Sequence, residues 1–309
     1  MKLYRRLAGL GLIAFGLIGL RVWGQEAQEP SRYPLREIDR PLVLPVEVSE
    51  LRVGLSYFDA EKYFDADGES VNLKDPEEWR LLIAELEIGY GLFEFLEVGA
   101  GIPYYSGKIF QAEGANLGDL YAYTRFKILQ NQEKTRELAF DFKASFPIGD
   151  ADIDMALEKK RYFQENLRTG DPNVDFFGAL LGRWTFQKFA LRAGWEYGYR
   201  LEGEIKTGME SLEDVAKFDP GESSSFNVDF LYQVMDKLVA GVGLEYLQQD
   251  ENKLEGQGLN DDWYLWELKP EIEIQFGKDY DLLVQSAIPL SGKNQPNAYP
   301  IIILWKSRI

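Results

Sequence analysis

Carboxylates two residues apart recur along this chain, as at Glu85 and Glu87 and at Glu271 and Glu273. A glycosidase uses such a pair as acid and base. Here the spacing repeats on many segments and singles out no pair, so it reads as the polar row of alternating strands and no enzyme is expected. Asp65, Asp67 and Glu69, and again Asp150, Asp152 and Asp154, offer the oxygen ligands that Ca2+ prefers. Their spacing falls short of a calcium loop, and both groups read as solvated loop tips, the first beside an Asp67-Gly68 turn.

What is missing excludes more. The 309 residues contain no His and no Cys. Ser-His-Asp and Cys-His nucleophiles, imidazole acid-base chemistry, and thiolate or imidazole metal sites are therefore impossible. No cofactor is implied. With 34 Lys and Arg against 51 Asp and Glu, the net charge of -17 opposes nucleic-acid binding, which needs a cationic surface.

The elements that must position the remaining charges begin after an export signal. Lys2, Arg5 and Arg6 precede an apolar run over 7–20, and Val22 and Gly24 are the small residues that a signal peptidase reads. Residues 1–24 are expected to be a signal peptide. Residues 25–41, polar and punctuated by Pro30, Pro34 and Pro41, read as an unpaired periplasmic leader, and 42–309 as one domain.

In that domain the dominant period is two. Leu82, Ala84, Leu86, Ile88 and Tyr90 share one face and Glu85 and Glu87 the other; Leu96, Val98, Ala100 and Ile102 then alternate with Glu97, Gly99 and Gly101. Twelve strands are predicted, at 46–58, 79–92, 95–105, 118–129, 137–147, 172–187, 188–201, 222–235, 237–248, 262–276, 280–290 and 298–309. Such lengths suit tilted membrane-crossing strands, which need about 9–11 residues. Tight turns alternate with long connections over 59–78, 106–117, 148–171, 202–221 and 249–261. That asymmetry predicts an all-β fold: a transmembrane, antiparallel, up-and-down barrel of about twelve strands, with both termini in the periplasm.

Alternation alone leaves a soluble barrel or sandwich open. The polar rows favour the membrane barrel, because they mix charges with glycines such as Gly89, Gly91, Gly99, Gly101, Gly241 and Gly243, which an ordinary solvent face avoids. Inside a narrow bore a glycine leaves room for a long side chain from across the lumen. Rings near strand ends, among them Tyr57, Tyr90, Trp195, Trp263, Trp266 and Trp305, are expected at the lipid–water interfaces. The lumen is then lined by Glu85, Glu87, Glu97, Asp119, Arg125, Asp141, Lys143, Arg183, Arg192, Glu196, Glu245 and Glu271. These charges form either a hydrated pathway whose acid surplus favours cations or a lumen zipped shut by ion pairs.

Tyr63-Phe64-Asp65-Ala66-Asp67-Gly68 after the first strand resembles the first hairpin of a family of bacterial outer-membrane barrels described as meta-pathway phenol-degradation, transporter-like proteins. Similar stretches follow in order: Tyr90-Gly91-Leu92 leading to Val98–Tyr104, Leu117-Gly118-Asp119-Leu120, Phe146-Pro147-Ile148-Gly149-Asp150, and Ile288–Asn294. The resemblance implies a porin that admits small, aromatic or hydrophobic compounds, with lipid, solute and the barrel-assembly machinery as partners. Ile309, in phase with Trp305, stands where that machinery usually reads a terminal aromatic. The expected function is passive solute uptake across the outer membrane; the alternative is a structural or adhesive barrel with a plugged lumen.

Overall fold

The structure, a computed structural model, describes residues 36–74, 77–110, 112–152, 155–158, 161–164, 167–206, 215–276 and 279–308. The expected signal peptide, Asp154 and Ile309 lie outside the described residues.

Twelve strands form the wall: β1 (Ser49–Ala60), β2 (Glu78–Phe93), β3 (Leu96–Phe110), β4 (Leu120–Gln130), β5 (Arg136–Phe146), β6 (Asp175–Phe186), β7 (Phe189–Arg200), β8 (Ser223–Met235), β9 (Leu238–Gln249), β10 (Trp263–Phe276), β11 (Tyr280–Ser286, continuing as Ile288–Lys293) and β12 (Ile301–Arg308). Each pairs antiparallel with its chain neighbours, and β12 pairs with β1 from Glu50↔Arg308 to Tyr57↔Ile301. The sheet has no free lateral edge. Closure satisfies every ladder within the wall, which is what allows strands to cross a lipid layer.

Register assigns the faces, because alternate residues point to opposite sides. Leu86, Ile88, Phe126, Phe140, Leu180, Trp195, Phe230 and Ile303 are exposed on the outer face. The expected charged row points inward, joined by Tyr121 and Tyr123. In one sector the inward row is apolar: Phe58, Ile83, Leu283, Ile302 and Leu304 share the face of Arg52 and Asp281. Trp263 corrects an expectation. It lies in register with Gln249 on the inward side of β10 and lines the lumen, whereas Trp266 faces outward.

The glycines make room as expected, though for neighbours as well as for groups across the bore. A Cβ on Gly99 would lie 2.4 Å from the Tyr123 ring, and one on Gly101 equally close to Tyr121. One on Gly91 would lie 1.9 Å from the Pro45 carbonyl, in the segment that precedes β1.

The long connections carry structure of their own. Tyr63 and Phe64 pair with Val71 and Ser70 and with Gln295–Pro296, and Ala112–Leu117 folds back on β3. Gly203–Lys206, Val215–Asp219, Lys253–Leu254 and Gln257–Gly258 form a four-stranded sheet over a small apolar cluster of Ile205 and Phe218 with Ala151 and Leu254.

Candidate functional site: the lumen and its stopper

At the end of the barrel that carries the short turns, residues 36–48 run across the lumen. A single turn of 3-10 helix, Glu37–Asp39, packs Ile38 against the inward side chains Ala190, Leu231 and Val239 of β7, β8 and β9. Arg36 donates to the Gln187 carbonyl in the β6–β7 turn, 3.1 Å, and Arg183 donates to the Ile38 carbonyl, 3.0 Å. Arg40, 3% exposed, places its guanidinium on both carboxylate oxygens of Asp281 and lies 3.8 Å from Glu273. The Leu42 amide donates to Glu137 at 2.8 Å, and the Leu44 amide to Glu97 at 2.9 Å. The segment joins the wall where Glu47 donates to the Gly91 carbonyl and Gly91 to that of Val48.

These contacts have a common chemistry. A short chain without regular structure has unpaired amides and carbonyls, and burying them costs free energy unless wall side chains supply partners. Glu97 and Glu137 supply acceptors; Arg125 and Arg183 supply donors, Arg125 reaching the Leu42 carbonyl at 3.2 Å. Three wall residues expected as lumen lining, Glu97, Arg125 and Arg183, therefore hold the stopper.

Around it the charges form a paired network. Arg52 bridges Glu50 and Glu87, each at 2.6 Å; Arg308 reaches Glu50 at 2.7 Å; Lys306 reaches Glu273 at 2.9 Å. Arg183 and Glu137 form a fully buried pair at 3.3 Å.

Beyond the stopper lies an inner cavity of about 250 Å³, lined by Glu85, Glu87, Arg125, Asp141, Lys143 and Glu196 with Tyr121, Tyr123, Phe177 and Ala179. Six of the expected lumen residues meet here. Arg125 is committed to Asp141, at 2.6 and 2.9 Å. The Tyr121 hydroxyl lies 2.6 Å from Glu85 and 2.8 Å from Glu87. One hydroxyl hydrogen faces two carboxylates, so acceptor capacity is left toward the cavity.

Toward the long-loop end an outer cavity of about 760 Å³ follows, with Leu81, Pro103, Tyr105, Ile109, Leu167, Phe177 and Trp263 interspersed among Asp119, Lys143, Arg168, Asp171, Asp175 and Arg200. Asp119 organises the rim: its carboxylate accepts from the amides of Ile148, Gly149 and Asp171. Burial pushes the Asp119 carboxyl up against the pull of those amides. For Asp171 burial also acts upward, but Arg200 and Arg168 outweigh it and leave the carboxyl below its ordinary range.

Arg192, Glu245 and Glu271 line neither cavity. Glu245 pairs with Lys269 at 2.9 Å, Glu271 accepts from Gln285 at 2.9 Å, and Arg192 lies in register with Asp229. The loop carboxylates are turned on their own backbones: Asp65 accepts from Asp67 and Glu69, and Asp150 from Asp152. Among the described residues no three metal-capable side chains converge.

A closed wall, an apolar outer band and a charged, partly filled interior define the fold of an outer-membrane β-barrel. The chain is similar to a solved outer membrane channel from Pseudomonas putida F1, with TM-score 0.72 and 15% identity over 92% of this chain and 100% of that one. More distant is the NanC porin, with TM-score 0.45 and 6% identity over 82% of this chain and 97% of that one. No protein-family model and no curated protein matches the chain, so the motif resemblance to the phenol-degradation family stands on the residues quoted for it.

Proposed function

We propose that the protein is a narrow solute channel of the outer membrane, with its short turns and both chain ends in the periplasm and its long loops outside. The observation that carries this reading is the pair of adjoining, charge-lined cavities that lead inward from the loop end to Arg125, which in turn holds the Leu42 carbonyl of the stopper. A scaffold barrel needs no such space. The charged walls of these cavities suit polar groups, and Leu81, Ile109, Leu167, Phe177 and Trp263 of the outer one suit the body of a small hydrophobic or aromatic solute. Full passage requires the stopper to shift. The purified full chain in planar bilayers is expected to show small stepwise currents that grow when Arg40 is replaced by Met. Folded protein that stays silent in both forms refutes the channel.

The stopper itself favours a second reading, a plugged barrel whose sheet-bearing loops make surface contacts. Loop deletions that abolish surface binding, in a barrel that admits no solute, would support it.

A further inference from the structure

Glu85, Tyr121, Lys143 and Phe177 line both cavities, so the two spaces meet between them. The Lys143 ammonium lies 4.3 Å from the Phe177 ring centroid, 5.8 Å from that of Tyr121 and 3.8 Å from Glu196. Aromatic faces and a carboxylate are the surroundings that a free organic ammonium ion would seek. The wall of this cavity holds four carboxylates, Glu85, Glu87, Asp141 and Glu196, against two cations, Arg125 and Lys143. Asp141 and Arg125 are committed to each other and Glu87 to Arg52, so with Lys143 beside Glu196 the surplus rests on Glu85. In a low-dielectric bore, such a surplus sets which ions enter.

We infer that this neck is the charge-selecting constriction, passing small cationic solutes such as primary or quaternary ammonium ions ahead of anions, with Lys143 as the tethered cation that a travelling one displaces. This deepens the channel reading and rests on it for transport, though not for entry. Glu85 draws the cation to the neck. Lys143 limits how tightly it is held, since two like charges cannot share one seat without cost.

The chain has no cysteine, so one introduced thiol is unique. Ser145 lines only the outer cavity and Ala179 only the inner one. Ser145→Cys and Ala179→Cys, each in the purified full chain, would be treated with a cationic trimethylammonium methanethiosulfonate and with its anionic sulfonate counterpart. The cation-to-anion rate ratio should be at least about fivefold higher at position 179 than at 145. Glu85→Gln in the Ala179→Cys background should lower that ratio and Lys143→Met raise it, while Lys143→Arg leaves it unchanged. Equal ratios at the two positions, or a ratio indifferent to both Glu85→Gln and Lys143→Met, overturn the inference. Labelling at 145 with none at 179 overturns it as well, because the neck is then closed. Charge-selective labelling without any bilayer current would sink the channel and keep the neck.

Discussion

Arg40 is the strongest single attachment of the stopper, and replacing it with Met tests whether that segment moves. Its guanidinium and the Asp281 carboxylate are both almost fully buried, at 3% and 1% exposure. Breaking a buried ion pair by removing one partner typically costs about 3–5 kcal/mol, much of it from the charge left behind. Here that remainder is small, because Asp281 keeps Arg308 and Glu273 keeps Lys306. About 2 kcal/mol is the resulting loss, with Met refilling most of the stem volume. The amides of Leu42 and Leu44 still hold to Glu137 and Glu97, so the segment loosens without being freed. A change of about 2 kcal/mol shifts the seated-to-unseated ratio about 30-fold. Single-channel recording should show open time rising on that scale, and protease should cut near residues 36–45 faster, with the barrel's urea midpoint unchanged. Unchanged gating and protection combined with a lower urea midpoint would refute the reasoning, since Arg40 would then be a staple of the wall.

Gly91→Val should act on the same segment from the wall, because a Cβ there lies 1.9 Å from the Pro45 carbonyl; larger currents from a barrel of normal heat-modifiable mobility are expected, and normal currents would contradict the packing. Arg183→Leu leaves Glu137 buried with the Leu42 amide as its donor among the described residues, so the urea midpoint should fall by the equivalent of about 3–5 kcal/mol. Asp119→Ala removes the acceptor shared by three amides, at a cost of about 1–3 kcal/mol, and should speed proteolysis around 147–171 in the purified protein without altering barrel stability.

The wall was legible because its physics is periodic. A slip of one residue would turn Leu86 inward and Glu87 to lipid, so alternation fixes strand identity and register together; β8 was expected at 222–235 and spans Ser223–Met235. The inner cavity was partly legible for the same reason: Glu85, Glu87, Arg125, Asp141, Lys143 and Glu196 occupy polar rows of β2, β4, β5 and β7, and register brings them together. Trp263 was misplaced because a ring at a strand end suits a lipid interface and a wide lumen mouth equally well, and only pairing decides. The inward Ile302 and Leu304 were missed because β12 starts apolar on both faces, and only Lys306 and Arg308 at its far end mark the lumen side.

The stopper had no period to read. Residues 36–48 are held by isolated donors and acceptors that reach across as many as 241 positions of sequence, as between Arg40 and Asp281. The available signal was composition: Ile38, Val43 and Leu44 are apolar in a polar, proline-punctuated stretch, and each is buried. Gly89 and Gly91 carried the complementary trace, because an added Cβ on either would press on Leu44 or Pro45. Wall and stopper therefore constrain each other. Carboxylates that would be costly to bury alone, Glu97, Glu137 and Asp281, each take a donor from the segment they hold, and its amides and Arg40 find their acceptors in them. Displacing the segment must return both sets to water, which makes hydration of the lumen part of any opening step.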